Sequence, residues 1–192
     1  HGVSQGAFED LVLSDWVADA LAVLDQCTDG PQVLVGSSMG AWIMVLTALA
    51  RPERVAGLVG FAPGPDFTED LLWGRATDED RATLMRDGIW RRPIGDGGDE
   101  FVVTRALIED GRKHLVLRGP IPIHVPVRLL HGTKDESVPW TTPERLQECL
   151  ESDDVVLTPL EGADHRMSKP EEMGIVVRTV TDLCHHLEVT SP

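Results

Sequence analysis

The apolar run Gln32-Val33-Leu34-Val35 passes directly into Gly36-Ser37-Ser38-Met39-Gly40, and the stretch from Met39 to Ala50 that follows is mostly apolar. No loop residues separate the three segments. The pattern predicts a buried strand, a tight turn and a helix packed against a sheet, with the sequence G-x-S-x-G at the turn. A nucleophile held at such a turn adopts a strained backbone, so its neighbours two positions away must lack bulk, a need that Gly36 and Gly40 are expected to meet. The turn would lift the Ser38 hydroxyl above the sheet and aim the Met39 backbone N–H at a developing oxyanion, aided by the helix N-terminus. Ser37 does not fit, because Val35 and Met39 occupy the corresponding offsets. A Gly/Ser-rich turn that merely precedes a helix is the plainer alternative. The directly flanking strand and helix favour Ser38 as a nucleophile.

Strand and helix signals alternate along the rest of the chain, as a parallel sheet with crossover helices requires. Ser14 is placed to cap a helix whose apolar residues Trp16, Val17, Ala20, Leu21 and Leu24 fall on one face. Val55 to Phe61 reads as a second strand, 125–130 as a third and Val155 to Leu160 as a fourth. Helices are expected at 143–150 and 171–187. The segment 64–120 differs, with acidic residues, Gly-Gly and Pro punctuating two short amphipathic helical stretches at about 67–86 and 101–112. It is too long for a plain connection, so a cap or lid inserted in a single domain spanning 1–192 is expected. The predicted class is α/β.

A serine hydroxyl needs a base to take its proton, and the base needs an acid to fix its tautomer. After the third strand comes His131-Gly132-Thr133-Lys134-Asp135-Glu136, and after the fourth comes Glu161-Gly162-Ala163-Asp164-His165. Both loops leave strand ends. Of seven histidines, His165 alone follows the strand after the acid loop. His185 and His186 fall on the last helix, His114 and His124 in or beside the cap, and His1 is terminal. His131 sits at a strand end, where structural hydrogen bonding is the commoner role. Asp135 is preferred to Glu136 as the acid by its place in the loop. Asp164 is expected to hydrogen-bond the loop backbone.

Thirty-two acidic residues against seventeen basic ones give a formal net charge of −15. That balance argues against nucleic acid or an anionic membrane as a partner. No apolar run approaches the ~20 residues of a membrane span, so stable insertion is not expected. Cys27, Cys149 and Cys184 show no metal or redox spacing and read as buried, reduced thiols in a reducing compartment. The compartment expected is the cytoplasm, or the mitochondrial matrix if a transit peptide lies upstream.

The stretches Gly36–Trp42, Ala50–Val55, Pro120–Ile123, Arg128–Gly132, Asp135 with Val138-Pro139-Trp140, and Asp164–Met167 together resemble a group of small α/β-hydrolases. This is the palmitoyl-protein thioesterase and acyl-glucuronide esterase group, with its bacterial relatives. The resemblance implies an α/β-hydrolase fold with a small helical cap, Ser38 as nucleophile, Asp135 as acid and His165 as base. It implies hydrolysis of S-acyl or acyl-ester bonds in small-molecule or S-acylated substrates, with no metal or organic cofactor. Trp42, Trp90 and Trp140 are candidates to line an acyl pocket, as is Trp73, although core or cap packing is the commoner use of each taken singly. Such proteins carry ~60 further residues upstream, so the first strands and a second oxyanion donor are expected to be missing. His1-Gly2-Val3-Ser4 would then be the loop after the fourth strand of the complete sheet, and Gln32–Val35 would be left as an exposed edge. An aminopeptidase on the same triad, and an inactive fragment or binding protein, remain alternatives.

Overall fold

In the computed structural model, which describes residues 6–94 and 99–190, strands and helices alternate where the apolar runs place them. In chain order they are α1 (Leu13–Cys27), β1 (Gln32–Ser37), α2 (Met39–Ala50), β2 (Val55–Phe61), a π-helical turn (Thr68–Trp73), α3 (Asp78–Asp87), β3 (Ile89–Ile94), β4 (Asp99–Thr104), α4 (Arg105–Gly111), β5 (Val127–Gly132), α5 (Thr141–Cys149), β6 (Val155–Leu160) and α6 (Pro170–Thr190). The chain divides into two compact units, one made of Ala20–Pro65 and Val116–Pro192, the other of Asp66–Leu115 and the chain up to Asp19. The His1-Gly2-Val3-Ser4 loop lies outside the described residues.

The larger unit is built on a four-stranded sheet in the order β1-β2-β5-β6. Every pairing in it is parallel. Strands buried on both faces read as continuous apolar runs rather than alternating ones, and Val-Ala-Gly-Leu-Val-Gly-Phe in β2 is such a run. Successive residues of β5 serve opposite faces. Leu129 packs with Ala41, Met44, Val45 and Ala48 of α2 and Leu146 of α5. Leu130 instead joins Ala62, Leu160, Ala163, Met167 and Val176 of α6. Fully burying one such leucine contributes about 1.5–3 kcal/mol. At Gly57 the α6 helix comes so close that an added Cβ would lie 3.1 Å from the Leu183 side chain. Among the described residues β1 forms one edge of the sheet, and Val35 on it is exposed.

Ser14 is not the N-cap expected of it. The helix already begins at Leu13. The Val12 N–H is taken by Asp15 Oδ2 at 2.9 Å, and the Ser14 N–H donates to Asp110 Oδ2 at 2.8 Å.

The smaller unit departs from the expected pair of helical stretches. The first stretch splits at Gly74 into the π-helical turn and α3, whose start carries a reciprocal Thr77–Asp80 cap and whose end is a left-handed Gly88. The second begins as a strand, because β4 pairs antiparallel with β3 from Asp99 to Thr104. Phe101-Val102-Val103-Thr104 is a β-branched and aromatic run suited to a pleated surface, and helix α4 starts only after Thr104, whose hydroxyl accepts the Leu107 N–H at 3.0 Å. Leu72, Leu84, Val103 and Ile108 form the core of this unit, with Phe67, Trp73 and Trp90 packed against them.

Candidate active site

All three candidate side chains stand on loops that leave the C-terminal ends of parallel strands, the edge at which open α/β sheets place their sites. Ser38 follows β1, Asp135 follows β5 and His165 follows β6. Ser38 has φ 52° and ψ −117°, a conformation that a residue other than glycine adopts only when its surroundings force it. The forcing is visible. The Ser38 N–H donates to the Phe61 carbonyl at 3.0 Å, while its carbonyl accepts the Ala41 and Gly64 N–H groups at 3.0 and 3.1 Å. A Cβ on Gly36 would overlap the Gly40 carbonyl oxygen, so only glycine fits there. Among the described residues outside its own helix turn, a Cβ on Gly40 would meet nothing within 4 Å, so the steric demand falls on Gly36 and not, as the motif suggested, on both. Met39 is the first residue of α2, where backbone N–H groups have no acceptor within the helix.

The acid loop holds its carboxylate with backbone donors. Asp135 Oδ1 accepts the Ser137 and Val138 N–H groups, each at 2.9 Å. Its Oδ2 lies 2.8 Å from His165 Nδ1, and His165 Nε2 lies 2.9 Å from Ser38 Oγ. The Asp135 side chain is 0% exposed. Burial pushes its carboxyl up, but the hydrogen bonds from His165 and the Val138 N–H, with the neighbouring imidazoles, hold it below the usual carboxylate range. An ionised carboxylate only accepts, so Nδ1 carries the ring proton and Nε2 is left to accept the Ser38 O–H. Serine, imidazole and carboxylate therefore form one unbroken line.

The acid and base loops are also tied to each other. Thr133 N–H donates to Leu160 O at 3.0 Å, Lys134 N–H to Ala163 O at 2.9 Å, and Gly162 N–H to Thr133 Oγ1 at 2.8 Å. A Cβ on Gly132 would overlap the Ala163 carbonyl oxygen, so the two loops meet this closely only because residue 132 is glycine. On the far side of His165, Asp164 Oδ1 accepts the Arg166 and Met167 N–H groups at 2.9 and 3.2 Å. That is the backbone role expected of Asp164. It holds Met167, fully buried, at φ 44°. Sequence reasoning passed over Gly132 and Thr133, although a glycine closing the strand before the acid loop is the available signal.

The tryptophans separate. Trp42 is fully buried on α2, so it has no surface to offer an acyl group. Trp90 packs against the core of the smaller unit. In that unit Trp73 is flanked by the guanidinium groups of Arg81 and Arg112, 5.5 and 4.8 Å from its ring centre. Trp140 stands beside the acid. It lines an open recess of about 250 Å³ with Gly132, Thr133, Asp135 and Pro159, and its indole N–H donates to Glu144 Oε1 at 2.7 Å.

A parallel sheet with helices, carrying these three side chains beyond its strand ends, defines an α/β-hydrolase fold. The chain belongs to the alpha/beta hydrolase family, whose profile matches residues 1–173. It is 37% identical over 187 residues to the mitochondrial palmitoyl-protein thioesterase ABHD10 of Homo sapiens, covering 97% of this chain and 61% of that protein. The chain thus spans about 61% of the length of that curated relative. Among solved structures, a putative hydrolase from Agrobacterium vitis S4 is 39% identical with a TM-score of 0.91, covering 95% of this chain and 72% of that one. Mouse alpha/beta hydrolase domain-containing protein 10 is 34% identical with a TM-score of 0.88, covering 97% of this chain and 74% of that one. Among the described residues no helix is long and apolar enough to cross a membrane.

Proposed function

We propose that the protein is a serine hydrolase that cleaves acyl thioesters or carboxylic esters through an acyl-enzyme. The observation that carries this reading is the unbroken line from Asp135 through His165 to Ser38, at 2.8 and 2.9 Å. The name of the palmitoyl-protein thioesterase relatives narrows the leaving group toward a thiol or alcohol. In the proposed reaction His165 Nε2 takes the Ser38 proton as Oγ attacks the acyl carbon. The Met39 N–H meets the oxygen that becomes negative, and buried Asp135 balances the imidazolium. The imidazolium then protonates the leaving thiolate or alkoxide. A water that gives its proton to His165 releases the acid and restores Ser38. A single domain with an inserted cap, in the cytoplasm or the mitochondrial matrix, accompanies this reading.

Hydrolysis of a palmitoyl thioester, an acyl-glucuronide ester and a prolyl amide by the full-length protein tests it. The thioester or the ester is expected to turn over far faster than the amide, and Ser38→Ala to lower turnover roughly 10⁴–10⁶-fold. Activity that survives Ser38→Ala would sink the assignment.

A further inference from the structure

Behind the acid lies a second imidazole that the line from Asp135 to Ser38 does not use. His131 on β5 is 0% exposed. Its Nε2 lies 3.1 Å from the Val138 carbonyl oxygen and 3.7 Å from Asp135 Oδ2. A carbonyl can only accept, so Nε2 carries a hydrogen whatever the charge on the ring. Nδ1 is buried and has no hydrogen-bond partner among the described residues. Charging the ring would put a second N–H at that buried nitrogen, with no acceptor for it among the described residues. Burial also pushes the imidazole below its ordinary range, against the pull of Asp135. The Trp140 ring stands edge-on to it, with ring centres 5.6 Å apart.

Val138 is gripped at both ends. Its N–H donates to Asp135 Oδ1 at 2.9 Å, and its carbonyl accepts from His131. The second imidazole, one peptide of the acid loop and the carboxylate are therefore linked in series, and a turn of Asp135 that frees Oδ1 breaks its bond to the Val138 N–H. We propose that His131 is a positioning residue for the hydrolysis described above: a permanently neutral imidazole whose Nε2–H pins the Val138 carbonyl and, through it, holds Asp135 in line with His165. The inference rests on that reading of the site. Among the described residues the titratable groups acting on His131 are Asp135 and His165, and those acting on Asp135 are the two histidines. Because His131 stays neutral, the imidazolium formed on His165 is the one cation that the carboxylate meets during turnover.

Two substitutions in the full-length protein separate positioning from simple packing. His131→Leu keeps bulk and loses the donor, while His131→Gln keeps an N–H at similar reach. Active sites are counted by fluorophosphonate titration, and hydrolysis of a p-nitrophenyl ester is followed against pH. His131→Leu is expected to lower kcat per titrated site about tenfold or more with KM within about twofold, the pattern of a misaligned reacting group. The acid limb of its kcat/KM profile should move to lower pH, because a carboxylate no longer held in line with His165 stabilises the imidazolium less. His131→Gln should restore both. Loss of titratable sites in both variants, with kcat per site and the acid limb unchanged, would mean packing alone and would overturn the proposal. ¹⁵N-histidine NMR of the wild-type protein needs no variant: one non-titrating Nε2–H tautomer is expected for His131 from acid to alkaline pH, and a titrating ring overturns the proposal. Turnover that survives Ser38→Ala defeats the hydrolase reading itself, whereas turnover lost in Ser38→Ala but untouched in His131→Leu defeats this inference alone.

Discussion

Each unit brings a serine, a histidine and a buried aspartate together among the described residues, and the wiring of the two groups is opposite. In the first, Asp135 and Ser38 meet different nitrogens of His165, at 2.8 and 2.9 Å. In the second, Ser14 Oγ lies 2.7 Å from His114 Nε2, and Asp110 Oδ2 lies 3.8 Å from the same nitrogen. Ser14 donates both its hydroxyl and its backbone N–H to Asp110, at 2.9 and 2.8 Å. With its proton given to the carboxylate, the Ser14 hydroxyl can only accept from His114, so that imidazole is a donor and not a base. Asp110 is 5% exposed. Burial pushes its carboxyl up, but the Ser14 N–H and hydroxyl, Lys113 and His114 hold it below the ordinary range. Ser38 stands at a strained turn with φ 52°, whereas Ser14 lies inside the first turn of α1. The same three residue types make a proton path in one place and an anchor for a helix start in the other. Order along the hydrogen bonds decides which.

The largest expected difference between the two is in the aspartates. Asp135→Asn should lower kcat by about 10⁴, because an amide no longer fixes the His165 tautomer, and Asp110→Asn should leave kcat per folded molecule unchanged. Steady-state kinetics with active-site titration checks both. Gly132→Ala comes next. Its Cβ would meet the Ala163 carbonyl, and pushing the acid and base loops apart should cost roughly 10² in kcat, since even small misplacement of reacting groups is expensive. The third effect is on stability alone. Asp110→Asn should destabilise by about 1–3 kcal/mol at neutral pH, measured by urea unfolding. The folded carboxyl titrates below its unfolded value, so wild-type Asp110 stabilises fully above roughly pH 4 and loses that contribution as pH falls through the folded value. The gap between variant and wild type should therefore close in acid.

Much of this was legible in the chain because strand and helix periods differ and the sheet is parallel. Val55–Phe61, Val155–Leu160 and Met39–Ala50 lie where their apolar runs begin and end. The triad candidates follow from the strand ends, since a parallel sheet brings all such ends to one edge. The hairpin of β3 and β4 was not legible. Ile89-Trp90-Arg91-Arg92-Pro93-Ile94 holds two charges and a proline, and its strand character depends on the partner run that pairs with it. The role of Ser14 was also hidden, since its carboxylate partner lies 96 residues away. Trp42 shows the same limit from the other side: its neighbourhood to Ser38 in sequence suggested a pocket, yet a residue four positions on along a helix points its side chain wherever the helix turn places it, which here is the core. Gly40 looked as constrained as Gly36 because the motif treats them alike, but only one of them faces backbone at close range.

Covalent labelling of the full-length protein with a fluorophosphonate, followed by peptide mapping, tests the contrast between the two serines most directly. The account predicts one adduct, on Ser38, absent from Ser38→Ala and from His165→Ala, with Ser14 unlabelled throughout. An adduct on Ser14, or a Ser38 that stays unlabelled while the protein hydrolyses esters, would contradict it.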